Sequence, residues 1–270
     1  MVKPCPINYE DSRHRYTRID NGKLLAGVSS VAEMLPKPYL LQWAANECSN
    51  YVRDNFRPNM SPQELDALLE LARKAHNVKK KKAGDDGTDM HSILQAHVES
   101  RIAGEPFSPS LPITWQARAY DQFLEWESNN KVEWIASELM VFNLDLDVAG
   151  RLDAIANVNG LLTVIDFKTS NTIGSSFFLQ TAGYIICLQW MFNNGYMDYV
   201  PQGRILIRLP KAETHDVWIQ DPKYKTKGHY ETQPNNVEVV HVPTDLGFDK
   251  ETFVNLRGAF KWVNQEILKN

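Results

Sequence analysis

Apolar residues recur along this chain at two spacings, and the switch between them outlines the elements. Over Tyr39–Asn55, Ser61–Val78, Thr88–Gly104 and Ile113–Asn130 they fall three and four apart, the signature of one helical face. Ser61-Pro62 adds an N-cap with proline in the first turn. In the third segment Met90, Ile93, Leu94, Val98 and Ile102 form the apolar stripe, with His91, Gln95 and Glu99 as a polar stripe beside it. The basic run Arg73–Lys82 ends in the lysines Lys79, Lys80, Lys81 and Lys82, and these with the following Ala83-Gly84-Asp85-Asp86-Gly87 predict a mobile loop between the second and third helices. Alternation then takes over. Glu133–Phe142, Val148–Val158 and Leu161–Lys168 read as strands, Phe177–Phe192 as a helix apolar almost all round, and stretches near Gly203–Leu209 and Val237–Val242 as further strands. Asp249–Leu268 closes the chain as an amphipathic helix, and His14–Ile19, Asn21-Gly22 and Leu24 onward predict an opening hairpin. The fold class expected from this order is α/β (α+β): a central mixed sheet flanked by helices, with an N-terminal helical region. Residues 1–86 are expected to form that hairpin and helical region with its basic loop, and residues 87–270 the core.

The central hairpin carries the chemistry. Asn159-Gly160 tolerates the positive φ of a two-residue turn, so Val158 and Leu161 flank it and Asp153 comes opposite Asp166. Two carboxylates so close are mutually destabilising unless something neutralises them. Lys168 shares their face, as does Arg151, and a divalent cation is the simplest explanation for the pair. A charged surface turn is the plain alternative. On the buried helix that follows, Gln180 and Tyr184 are one turn apart and so form a short polar patch that needs hydrogen-bond partners.

Composition narrows the classes. The chain has 270 residues and a net charge of −4, which argues against indiscriminate coating of nucleic acid. The basic run, and Lys223, Lys225 and Lys227 further on, suit local phosphate contact or a solvated surface. No stretch approaches the roughly 18 apolar residues of a membrane span, and Met1–Glu10 lacks the apolar core of a signal peptide. Three scattered cysteines suggest neither a disulfide framework nor a zinc ribbon, so a reducing, cytoplasmic location is expected.

Four short motifs in one order resemble the PD-(D/E)XK nuclease superfamily, specifically its RecB-type exonuclease branch. They are Gly87-Thr88-Asp89-Met90-His91, Gly150-Arg151-Leu152-Asp153, Asp166-Phe167-Lys168 and Gln180-Thr181-Ala182-Gly183-Tyr184. Glu138 matches an acidic strand position of that branch, and Tyr16–Ile19, Val28–Val31 and Leu35–Pro38 are similar to phage-encoded members. The superfamily's Pro-Asp is Leu-Asp here, and its second acid is aspartate. The resemblance implies a restriction-endonuclease-like core and phosphodiester hydrolysis with one or two Mg²⁺ or Mn²⁺ ions. Asp153, Asp166, the Phe167 carbonyl and His91 would hold metal, and Glu138 a metal-associated water. Lys168 would orient the attacking water or offset phosphoryl charge, with Gln180 and Tyr184 positioning the strand or bracing Lys168. Lys79 to Lys82, Arg151 and Thr169 are the expected nucleic-acid contacts. Tyr39, Trp43, Trp115 and Tyr120 are candidate stacking platforms. An iron–sulfur cluster is not expected, since no cysteine follows Cys187.

The leading expectation is a DNA exonuclease acting on ends, single strands above all, with no membrane partner and the oligomeric state open, monomer included. A structure-specific endonuclease on the same fold, and a binding protein on a decayed nuclease fold, are the alternatives.

Overall fold

The computed structural model describes residues 2–221, 223, 228–242 and 246–267. These form two compact units, residues 35–90 and residues 1–34 with 91–270.

The larger unit is built on a mixed sheet with helices packed against it. Strands β1 (Ile7–Glu10), β2 (Arg15–Arg18) and β3 (Leu24–Gly27) form an antiparallel meander. β4 (Val132–Asn143), β5 (Val148–Val158) and β6 (Leu161–Lys168) follow the predicted alternation closely. β7 (Gly203–Arg208) lies parallel to β6, and β10 (Glu238–Val242) antiparallel to β7. The sheet is mixed, as expected. Between β7 and β10 stands a separate two-stranded ribbon, β8 (Thr214–Gln220) and β9 (Gly228–Pro234), absent from the sequence reading because it has no buried apolar face. Of the second basic stretch, Lys225 and Lys227 lie outside the described residues, as does Leu268.

β5 is the pivot. β4 pairs along one of its sides from Val158 to Val148. Its other side is shared: β3 pairs in parallel with Val148 and Ala149, and β6 pairs antiparallel with Ala154 to Val158. Residues 150–153 therefore have no strand partner on that side, and the sheet forks around them. The ladder between β5 and β6 stops at Ala154 and Ile165, one step short of the two aspartates that the turn register brings together.

Three helices cover one region of this sheet. α1 (Val28–Ala32), α5 (Ser175–Asn193) and α6 (Gly247–Ile267) pack on one another. Close approach is enforced at Gly183, where a Cβ would stand 2.6 Å from the Phe253 ring and 2.7 Å from Val28. Val28, Leu152, Ile155, Val164, Tyr184, Leu188 and Phe253 belong to the core so formed.

The division of the chain differs from the expected 1–86 and 87–270. Residues 1–34 group with the core because β3 is hydrogen-bonded into its sheet. The helices also differ. α2 (Tyr39–Asn55) is as predicted, but α3 runs unbroken from Pro62 to Ala103, so Lys79 to Lys82 and residues 83–87 are helical rather than a loop. No proline falls inside this span, and a helical glycine costs only about 1 kcal/mol. The helical register also puts Lys81 and Lys82 one turn from Asp85 and Asp86, while the Thr88 hydroxyl donates to the Gly84 carbonyl at 3.1 Å. The N-terminus carries a capping box: the Glu64 amide donates to Ser61 Oγ at 3.3 Å, and the Ser61 amide to Glu64 Oε2 at 2.8 Å. α4 spans Thr114–Asn129.

Candidate active site

The fork in β5 gathers the expected residues. Asp153 stands at the last unpaired position of that strand, and its Oδ2 accepts the Phe167 amide at 2.7 Å. A side chain thus takes up a backbone donor just where the β5–β6 ladder ends. Asp166 is fully buried, and Lys168 Nζ lies 2.6 Å from its Oδ2 as an ion pair without the alignment of a hydrogen bond. Gln180 joins these groups. Its Oε1 accepts from Lys168 Nζ at 3.2 Å, and its Nε2 donates to Asp166 Oδ1 at 3.2 Å and to the Tyr184 oxygen at 2.8 Å. Tyr184 donates onward to the Arg151 carbonyl at 3.1 Å. The polar patch on α5 therefore finds its partners at the sheet fork.

Gly150 is explained by the same contacts. A Cβ there would stand 2.9 Å from Tyr184 Cε1 and 3.2 Å from Val28. Only glycine lets the tyrosine ring lie against β5 with its hydroxyl in reach of Arg151.

His91 comes from α3, with Nδ1 3.8 Å from Asp153 Oδ2. Burial, and then the Lys168 charge, push its pKa down to about 4. It is therefore neutral near pH 7, with a nitrogen lone pair free of a proton to displace. Both aspartates move the other way: burial raises Asp153 and Asp166, against the pull of Lys168, and the Asp153 charge adds to the rise at Asp166. Tyr184 is held neutral, its pKa raised well above the usual value by burial.

Glu138 is the strained member. Ser137 pairs with Ala154 and Leu139 with Leu152, which sets Glu138 beside Asp153. Its φ is +50°, a left-handed conformation in mid-strand that costs a non-glycine residue about 1–2 kcal/mol. Burial and then the Asp153 charge raise its pKa to about 7, while Arg151 Nε pairs with its Oε2 at 2.5 Å. Arg151 also lies over the Tyr9 ring, 5.0 Å from the centroid, and 3.7 Å from Asp11. It is committed to protein groups rather than offered openly to a ligand. Tyr9 on β1, and Asp11 just after it, carry no motif that marks them in the sequence.

The remaining expected residues are more dispersed. Thr169 follows β6 directly and is half-buried. Lys79 to Lys82 lie in the unit of residues 35–90, exposed on α3, with Lys79 paired to Glu47. Among the stacking candidates, Tyr120 is buried and hydrogen-bonded to His97 Nδ1 at 2.8 Å, so it is a core residue. Tyr39 is exposed.

A family model described as the PD-(D/E)XK nuclease superfamily matches residues 63–246, well over half of the chain. The chain belongs to the PD-(D/E)XK nuclease superfamily. The matched stretch contains Asp153, Asp166 and Lys168, and the mixed sheet flanked by helices is the superfamily's fold. No curated protein matches the chain. One solved structure, described as "Crystal Structure of LHK-Exo in complex with dAMP", is similar at 11% identity with a TM-score of 0.35, over 91% of this chain and 94% of that one.

Superfamily members use divalent metals, and the donor set here fits one. Two carboxylates of raised pKa face each other, and Asp166 Oδ2 has no aligned hydrogen-bond donor. Hard oxygen donors of this kind suit Mg²⁺ or Mn²⁺. Among the described residues no three His, Cys, Asp or Glu side chains close into a ready ligand cluster. The protein offers two carboxylates, with His91 and Glu138 alongside, rather than a complete cage.

Proposed function

We propose that this protein is a metal-dependent DNA exonuclease of the RecB-type branch, hydrolysing phosphodiester bonds from the ends of single strands with Mg²⁺ or Mn²⁺. The observation that carries the reading is the Lys168–Asp166–Gln180–Tyr184 chain at the fork of β5. It ties the Lys168 ammonium to the Asp166 carboxylate through Gln180 and Tyr184, with Asp153 beside them on the Phe167 amide.

Asp153 and Asp166 would hold the metal, aided by the Phe167 carbonyl and His91. When bound, a divalent cation lowers the pKa of the attacking water and offsets charge on the phosphate. Lys168 would orient the attacking water and offset charge growing on the phosphoryl oxygens. Gln180 keeps the Lys168 ammonium turned toward Asp166, and Tyr184 ties Gln180 to β5. Glu138, paired to Arg151, would hold a metal-associated water. Lys79 to Lys82 and Thr169 would contact the strand. The order of motifs supports the RecB-type branch and a phage-encoded origin, with action in the host cytoplasm in recombination, replication, repair or DNA recycling.

The test is incubation with 5′- and 3′-labelled single- and double-stranded DNA, with Mg²⁺, Mn²⁺ or chelator. Expected is stepwise shortening of single strands from an end, abolished by chelator. Cleavage of covalently closed circles would replace the exonuclease reading with an endonuclease. Tight binding without hydrolysis under either metal would favour a decayed site.

A further inference from the structure

The β8–β9 ribbon buries almost none of its surface, yet it is held firmly at its root. Arg118 NH2 donates to the carbonyls of Pro210, Lys211 and Ala212 at 2.9, 3.4 and 2.9 Å. The Asn235 amide donates to the Glu213 carbonyl at 2.8 Å, and Arg208 clasps Asn235 Oδ1 at 3.1 Å from both terminal nitrogens. That root adjoins the active site, because β7 pairs in parallel with β6 and the Leu209 amide donates to the Lys168 carbonyl at 2.7 Å.

On the ribbon, Trp218 and Tyr230 are direct cross-strand partners, with ring centroids 5.0 Å apart and planes at 65°. The face they share, which also carries Asp216 and Thr232, is exposed; Trp218 is 48% and Tyr230 69% accessible. The opposite face, with Val217 and Ile219, is partly covered. The indole packs along one side of the ribbon. It lies against Gly228, where a Cβ would stand 2.7 Å from Cε2 and Cζ2. Two large rings thus sit together on an arm anchored at its root, with their outward surfaces exposed. Leu209 is nine residues from Trp218, a reach of at most about 30 Å.

We propose that the Trp218–Tyr230 pair is a stacking platform for unpaired bases of the strand being degraded. Aromatic faces bind bases of any sequence, because every base presents a π surface, and a nonspecific exonuclease needs that tolerance. The platform accepts single strands and disfavours duplex, whose bases are already stacked. This rests on the nuclease reading, since it names what that site's substrate strand does beyond the site.

The experiment compares single strands bearing normal bases with strands in which a block of internal nucleotides is abasic, on the wild-type protein and on Trp218→Ala/Tyr230→Ala. For wild type, KM should rise at least about tenfold on the abasic strand, a loss of about one stacked base, with kcat within about twofold. The double variant should show that higher KM on both strands and no longer distinguish them. Trp218→Phe with Tyr230→Phe should restore the discrimination, because phenylalanine keeps a π face. Equal KM values for normal and abasic strands on wild type would overturn the proposal without any variant, so a variant that folds poorly does not shelter it. If no strand is hydrolysed at all, the nuclease reading fails separately. Fluorescence anisotropy of the same two labelled strands then reads the platform, equal affinities counting against it.

Discussion

Two buried polar networks in the core unit handle a carboxylate in opposite ways. At the junction of α3, α4 and β4, Glu127 accepts from His97 Nε2 at 2.9 Å, Trp134 Nε1 at 2.6 Å and Arg101 at 2.8 Å. Burial alone would raise its pKa, but those donors overrule it and hold the carboxyl down near 2. At the fork of β5, burial raises the pKa of Asp166 against the pull of Lys168, and the Asp153 carboxylate beside it adds to the rise. A carboxylate saturated with donors has finished its chemistry and is structural. One left short of positive charge has room for a cation. The contrast separates scaffold from site without reference to any motif.

The strongest way to break that contrast is at Lys168. Lys168→Ala should lower the rate of cleavage about 100- to 1000-fold or more, with circular dichroism and the melting transition close to wild type. Near-normal turnover would make the fork another piece of scaffold. Next comes Glu127→Ala, which strands the His97 ring and the Trp134 N–H. It should destabilise by about 3–5 kcal/mol in urea unfolding, while cleavage per folded molecule stays near wild type. A selective loss of turnover would place the second network in the chemistry as well. Gly150→Ala, which pushes on Tyr184 and Val28, should cost about 1–3 kcal/mol and also slow cleavage, because it shifts the residue that ties Gln180 to β5.

The networks should also part with pH. Glu127, with its folded pKa lowered, contributes stability that is present above its ordinary value of 4.5 and lost as pH falls toward 2. Asp166, with its folded pKa raised, contributes stability that is present below the ordinary carboxylate range and lost as pH rises through the raised value. Mg²⁺ or Mn²⁺ should reverse that second loss. The metal-induced rise in Tm should therefore be larger at pH 7.5 than at pH 5, which differential scanning would show; a pH-independent rise would mean that the ion binds elsewhere. The smallest effect is expected for Lys79 to Lys82 replaced by alanine. DNA affinity should weaken, and the slope of log K against log salt should flatten by about one unit per phosphate contact removed. An unchanged slope would leave that run as solvated helix surface.

The parts of this molecule that were legible are those in which local pattern and tertiary role agree. β4, β5, β6 and α5 follow from alternation, the Asn159-Gly160 turn and an all-round apolar helix. α3 was misread because lysines, aspartates and two glycines look like a loop, although none forbids a helix. The β8–β9 ribbon has no buried face, so no periodicity marks it. His97 gave a usable signal: it falls within the Met90, Leu94 and Val98 stripe, where a histidine must find partners. The left-handed Glu138 gave none, since glutamate is a poor occupant of that conformation and only the fold imposes it. Nor did the fork, which depends on a parallel pairing between β3 and β5, far apart in the chain.

That fork has a further consequence. An interrupted ladder is an edge inside the sheet, and open edges invite pairing with another chain. Here the edge is only residues 150–153, too short to template a strand. The Tyr184 hydroxyl occupies the Arg151 carbonyl, and the side chain of Asp153 diverts the Phe167 amide. The residues of the candidate site therefore also occupy polar groups of that short edge, which should disfavour self-association. Variants that disarm it, Tyr184→Ala above all, should aggregate more readily on heating than their loss of stability alone would explain.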